Sequence, residues 1–167
     1  LHQLSTGELL RKEISDRSKL GQQIASIINS GNLVSDSIVS DLIEKYISND
    51  EYKNRLIFDG YPRNLNQTNN LNNLLTKYDQ KIDIVLKLSV GIEIIKKRII
   101  ERKNIEKRAD DNEKIAVKRY QMYEKNIYPV INFYKETKLL KVVNGETSIS
   151  EINDEISRLI EGIKGWL

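Results

Sequence analysis

Three polar residues just beyond a short apolar run could do chemistry together: Asp59, Arg63 and Gln67. Arg55-Leu56-Ile57-Phe58 reads as a strand, and Asp59-Gly60-Tyr61-Pro62 reads as a sharp turn after it. Such a turn leaves Asp59 and Arg63 at the strand's carboxyl end, where open α/β sheets bind ligands. An arginine there can offer a two-pronged fork to phosphate, and Gln67 carries an amide donor pair and an acceptor, enough to read a base edge. A plain surface turn with a solvated arginine fits the same stretch. Further on, Arg98 and Arg102 stand i, i+4 and project from one helix face, which is either a site or a solvated basic face. Asp110 or Asp111 would cap the long helix that follows and complement its dipole, a role that does not exclude another. Arg119 lies two turns past Asp111.

Composition removes other chemistries. There is no cysteine, so disulfides and thiolate metal sites are excluded. The single histidine, His2, sits near the start of the sequence, so histidine catalysis is not expected. With 167 residues, 39% hydrophobic and 31% charged, the chain is expected to be one globular, soluble domain. No apolar run reaches the roughly 18 residues of a membrane span. The net charge of +3 comes from interspersed Lys and Glu, which does not argue for nucleic acid. The opening Leu-His-Gln-Leu has no basic region or long apolar stretch of a signal peptide, and the missing initiator Met suggests that the native start lies elsewhere.

The elements that must hold these residues alternate. Strands are expected at about 2–5, 55–58, 82–88 and 139–143. Ser5 or Thr6 would cap a helix from about Gly7 to Asp16, and Ser5 with Glu8 has the pattern of a capping box. A second helix runs from Leu20 to Asn29. A third begins after Ser35-Asp36, with a core stripe of Ile38, Val39, Leu42, Ile43, Tyr46 and Ile47. Asn66 to Lys77 reads as an Asn-rich helix of poor propensity that packing must support. Gly91 to Lys103 is helical, and a long helix follows Asp111 to about Glu136, where Pro129 should kink or break it. Ile149 to Ile163 is an amphipathic closing helix. Strands alternating with helices predict an α/β fold with a parallel sheet.

Taken together these segments resemble the adenylate kinase family of nucleoside monophosphate kinases, over nearly the whole chain. The resemblance rests on Ser5-Thr6-Gly7-Glu8-Leu9-Leu10-Arg11, Gly31-Asn32-Leu33-Val34, Phe58 to Arg63 with Gln67, Arg98-Ile99-Ile100-Glu101-Arg102, Arg108-Ala109-Asp110-Asp111, Arg119, and Val143-Asn144-Gly145. Single pieces are weak; their order and spacing are specific. The resemblance implies a three-layer P-loop-kinase-like α/β/α fold spanning residues 1–167, with 5–34 as the nucleoside-monophosphate-binding segment and 101–111 as a short lid. It implies transfer of the terminal phosphoryl of ATP to AMP, giving two ADP, with Mg²⁺.

By the same resemblance Thr6, Arg11, Asn32, Leu33, Val34, Gly60, Arg63 and Gln67 would hold AMP. Gln67 would read adenine, and Arg11 and Arg63 would hold the phosphate. Arg98 would lie against the ATP base, and Gly145 and Thr147 would border the ATP site. Arg63, Arg102, Arg108 and Arg119 would surround the phosphates in flight, the last two also touching AMP. No residue would ligate the metal directly, though Asp59 matches a position near its water shell. A cytoplasmic monomer without nucleic-acid or membrane partners is implied. Phosphoryl transfer needs positioning and charge neutralisation more than covalent chemistry, which suits an arginine-rich chain without catalytic His or Cys. The five-residue connector between Arg102 and Arg108 leaves no room for a zinc-binding lid insert. Related uridylate/cytidylate kinases usually carry Ala and Asn at the positions of Thr6 and Gln67, so AMP is the expected acceptor.

One departure stands out. No G-x-x-x-x-G-K-[ST] occurs in these 167 residues. In the family that loop follows a central strand, lying between the strands matching 55–58 and 82–88. The expectation is therefore an N-terminally incomplete kinase, lacking about 25–30 residues of strand, loop and helix, and impaired in this form. A non-catalytic nucleotide-binding relative and a plain helical scaffold are the alternatives.

Overall fold

The computed structural model of the chain describes residues 1–29, 34–106 and 113–163. It divides into two compact units, residues 1–81 and 82–167.

In the first unit, strand β1 (His2–Ser5) runs directly into helix α1 (Thr6–Ser15), followed by α2 (Lys19–Asn29) and α3 (Asp36–Ile47). Strand β2 (Leu56–Asp59) then leads to α4 (Leu65–Lys77). β1 and β2 pair in parallel, with His2 opposite Leu56 and Ser5 opposite Asp59. Along β2, Leu56 and Phe58 are half-buried while Ile57 and Asp59 are exposed, the period-two pattern of a strand. The core collects Leu4, Ile24, Val39, Leu42, Ile43, Ile47, Leu71 and Leu75. Four of the six residues of the expected α3 stripe are buried, and Ile38 and Tyr46 lie half-buried at its margin. Burying a side chain such as Leu71 or Ile43 contributes about 1.5–3 kcal/mol, which is how α4 outlasts its run of asparagines.

Two local devices tighten this unit. Gly21 lets α1 and α2 approach so closely that a Cβ there would stand 1.9 Å from the Glu13 carbonyl oxygen. Glu44 on α3 takes hydrogen bonds from Lys77 Nζ at 2.7 Å and the Tyr78 hydroxyl at 2.9 Å. The Lys77 contact, and then the Tyr78 contact, hold the Glu44 carboxyl below its ordinary range.

In the second unit, β3 (Val85–Ser89) pairs in parallel with β4 (Leu140–Asn144), Val85 opposite Leu140 and Ser89 opposite Asn144. Helices α5 (Ile92–Glu106) and α6 (Glu113–Glu136) come between them, and α7 (Ile149–Glu161) follows. Val130, Tyr134 and Val143 are buried. β3 begins at Val85 rather than at 82, because its ladder starts where the Val85 amide meets the Leu139 carbonyl.

The structure changes two local expectations. Ser5 precedes α1 but makes no side-chain cap, since it is the last residue of β1 and its backbone is extended beside Asp59. The capping box is instead at α7, where Ser148 and Glu151 satisfy each other's backbone amides. Of the expected kink or break at Pro129, the break does not occur, since helix α6 continues through it. Pro129 is exposed, and burial of Val130 and Tyr134 beyond it offsets the one lost backbone bond.

Candidate functional site

The turn after β2 is built around one carbonyl. Gly60 has φ +69°, a conformation that side chains other than hydrogen disfavour. This aims its carbonyl at two groups: the Arg63 Nε donates to it at 2.6 Å and the Thr6 Oγ1 at 3.4 Å. Thr6 opens α1 and is buried, so two segments 54 residues apart in sequence meet at Gly60. A Cβ on Gly60 would stand 2.8 Å from Arg63 Nη2 and 3.5 Å from Thr6 Oγ1.

Gln67 lies one turn into α4 and is only 7% exposed. The Asn64 side chain caps α4 by accepting from the Gln67 backbone amide at 2.8 Å. The Gln67 side-chain Oε1 accepts from the Arg63 backbone amide at 2.8 Å. Its Nε2 donates to Asp36 Oδ1 at 2.7 Å. Buried Tyr61 donates to the Gln67 carbonyl at 3.4 Å. The amide that was expected to read a base is thus held at both ends.

Arg11 is exposed on α1, one turn beyond Gly7. Its Nη1 lies 3.1 Å from where a Cβ on Gly7 would stand, so the guanidinium folds back over the first turn. Asp59 is exposed at the end of β2 and its Oδ2 accepts from Gln3 Nε2 at 3.0 Å. Val34 is half-buried before α3. Asn32, Leu33 and Arg108, with Asp110 and Asp111, lie outside the described residues.

In the second unit two of the expected ATP-side residues, Arg98 and Gly145, meet. Arg98 Nη2 donates to the Gly145 carbonyl at 2.8 Å. The Gly145 amide donates to the Ser89 carbonyl at 2.9 Å, and Glu146 Oε1 accepts from the Gly91 amide at 2.7 Å. A Cβ on Gly145 would meet Val90 Cγ2 at 2.5 Å, so a side chain there would have to displace Val90. The Thr147 hydroxyl donates to the Asn144 carbonyl at 3.4 Å. Arg102 falls on α5 and Arg119 on α6; their side chains lie outside the described ones.

Sequence reasoning gave Asp36 a capping role only. In the structure Ser35 holds the N-cap position of α3 without a side-chain cap bond, so the expected Ser35-Asp36 cap is not formed there. The Asp36 carboxylate, in the first turn, gathers side-chain amides from Asn64, Asn66 and Gln67. The available signal was three amides in four residues at the start of a helix. Among the described residues no group of acids and histidine could hold a metal ion directly, and no helix is long and apolar enough to cross a membrane.

A family model described as adenylate kinase matches residues 1–139. Among similar proteins is an adenylate kinase of Prochlorococcus marinus strain MIT 9515, 41% identical over 155 residues, covering 93% of this chain and 82% of that protein. One of Stenotrophomonas maltophilia is 37% identical over 162 residues, covering 97% and 85%. One of Pelagibacter ubique is 34% identical over 185 residues, covering 95% and 87%.

Proposed function

The chain belongs to the adenylate kinase family, and we propose that its acceptor is AMP, held by the cluster around Gly60. It is a nucleoside monophosphate kinase that moves the terminal phosphoryl of ATP to AMP and back. The observation that carries the assignment of the site is the Gly60 carbonyl joining Thr6 and Arg63, beside the buried Gln67 amide.

In this reading Arg63 and Arg11 hold the AMP phosphate, and Gln67 reads adenine. By the resemblance Thr6, Asn32, Leu33, Val34 and Gly60 are the further AMP-binding residues. Arg98 lies against the ATP base beside Gly145 and Thr147. By the resemblance Arg102, Arg108 and Arg119, like Arg63, would neutralise charge spread over the moving phosphoryl, and Arg108 and Arg119 would bind AMP. An AMP phosphate oxygen attacks the terminal phosphorus in line as the bond to the ADP oxygen breaks. No side chain need take a proton. Segments 5–34 and 101–111 close over the substrates and exclude water.

Mg²⁺ arrives with ATP and, when bound, neutralises charge on the phosphate oxygens. Asp59 fits a water-mediated role: it is exposed, and one of its oxygens is engaged by Gln3. A cytoplasmic monomer without nucleic-acid or membrane partners follows from the resemblance. Because residues 1–167 contain no Gly-rich phosphate loop, a polypeptide of these residues alone is proposed to bind AMP but to transfer phosphoryl slowly.

Calorimetric titration of AMP, UMP and CMP into the 167-residue polypeptide tests the acceptor. AMP should bind most tightly, and Arg63→Ala should weaken it about tenfold or more. UMP or CMP binding as well as AMP would overturn the acceptor; no binding of any of them would overturn the site.

A further inference from the structure

Asp36 makes a contact that helix capping does not need. Its Oδ1 accepts from Gln67 Nε2 at 2.7 Å and from Asn64 Nδ2 at 3.2 Å. Its Oδ2 accepts from Asn66 Nδ2 at 2.9 Å and from Asn64 Nδ2 at 3.2 Å. A carboxylate only accepts, so the group facing it must be the NH₂ end of Gln67. At the other end of the amide, the Arg63 backbone amide only donates, so it must face Oε1. Two partners of opposite kind therefore select one of the two amide orientations.

We propose that Asp36 is a positioning residue that fixes the Gln67 amide in the orientation that selects a 6-aminopurine over a 6-oxopurine. The inference rests on the AMP site proposed above. In the selected orientation Nε2 keeps one hydrogen and Oε1 one lone pair beyond the bonds just named. That pair matches adenine, whose N1 accepts and whose 6-amino group donates. It opposes hypoxanthine, whose N1–H donates and whose O6 accepts. Turning the amide over would suit hypoxanthine but would break both the Asp36 and the Arg63 contacts. With Asn at position 36 an NH₂ can face Oε1, and the turned amide then forfeits the Arg63 contact alone.

The experiment compares AMP with IMP by calorimetry on the full chain. The unsubstituted chain should prefer AMP. Asp36→Asn should lower the AMP-to-IMP preference about tenfold. Asn66→Ala, which touches only the far oxygen, should leave the preference unchanged. In a Gln67→Ala background, Asp36→Asn should have no further effect on it. An unchanged preference in Asp36→Asn, equal weakening of both nucleotides, or a shift that persists without Gln67 would overturn the proposal while leaving the AMP site standing. Failure of the unsubstituted chain to bind AMP would overturn the site itself and the inference with it. Should Asp36→Asn not fold, hydrogen exchange in the unsubstituted chain decides: one Gln67 side-chain proton should be protected, and rapid exchange of both would overturn the proposal.

Discussion

An alanine at Gly60 introduces a methyl group at the point where Thr6 and Arg63 converge. Two costs follow, and they differ in kind. Holding alanine at φ +69° costs about 1–2 kcal/mol in the fold. The new Cβ would also lie 2.8 Å from Arg63 Nη2, so the guanidinium must move. Nη2 is the far end of a flexible side chain, so the move adds little to the folding cost. It does break the 2.6 Å bond from Nε to the Gly60 carbonyl and carries the fork off its aim. A charge-assisted bond to the AMP phosphate is worth about 1.5–3 kcal/mol, so AMP affinity should fall roughly 10- to 100-fold. Urea unfolding gives the first quantity and calorimetric titration of AMP the second. AMP affinity within about twofold of the unsubstituted chain would refute the reasoning, because Arg63 would then not depend on the Gly60 carbonyl. A stability loss above about 4 kcal/mol would show that Arg63 cannot move aside.

Gly21→Ala should do the reverse. Its Cβ would fall 1.9 Å from backbone, so α1 and α2 must separate, at a cost of about 1–3 kcal/mol or more in urea unfolding. Tyr134→Phe should be neutral or stabilising at pH 7, since the buried Tyr134 hydroxyl has no partner among the described residues. Burial pushes that phenol up to about 12, whereas an unfolded chain ionises it near pH 10. The folded state therefore binds the extra proton between those values. The unsubstituted chain should lose stability relative to Tyr134→Phe as pH rises from 10 to 12, a difference that alkaline denaturation curves would reveal. Ser148→Ala should cost about 1 kcal/mol by removing the cap of α7. The Ser148 contacts hold the Glu151 carboxyl below its ordinary 4.5. That contribution is present above pH 4.5 and fades as pH falls through the lowered value, so the gap between the two proteins in acid unfolding should narrow.

What was legible in the sequence was local. The four strands follow from short apolar runs, and the β2 turn follows from Asp-Gly and Pro within four residues. That turn and the first turn of α4 after it carry Gly60, Arg63 and Gln67, three of the ten residues proposed to hold AMP. What was not legible depends on partners far along the chain. Ser5 looks like a cap until β2 claims it for a strand. The first residue of β3 is set by where β4 begins. Pro129 is expected to kink or break a helix by its own chemistry, and the helix continues past it where buried side chains beyond hold the last turns in place. The amides that Asp36 gathers stand 28 to 31 residues away, at a distance where no local pattern reports them.

The two units use one construction for different arginines. In each, a strand ends and a glycine follows at once: Asp59 then Gly60, Asn144 then Gly145. In each, the glycine carbonyl accepts from a guanidinium, Arg63 at 2.6 Å and Arg98 at 2.8 Å. The need for glycine differs. Gly60 needs it for a positive φ and to leave room for Arg63, whereas at Gly145 a Cβ would strike Val90. The consequence is shared. A guanidinium is planar, so anchoring one N–H on a backbone carbonyl fixes the direction of the others. The carbonyl is neutral, so this anchor does not itself cancel the guanidinium's charge, as an anchoring carboxylate would. A kinase that works by positioning and neutralisation needs arginines whose direction is fixed before substrate arrives. A neutral glycine carbonyl at a strand's end supplies such an anchor without adding a counter-charge of its own.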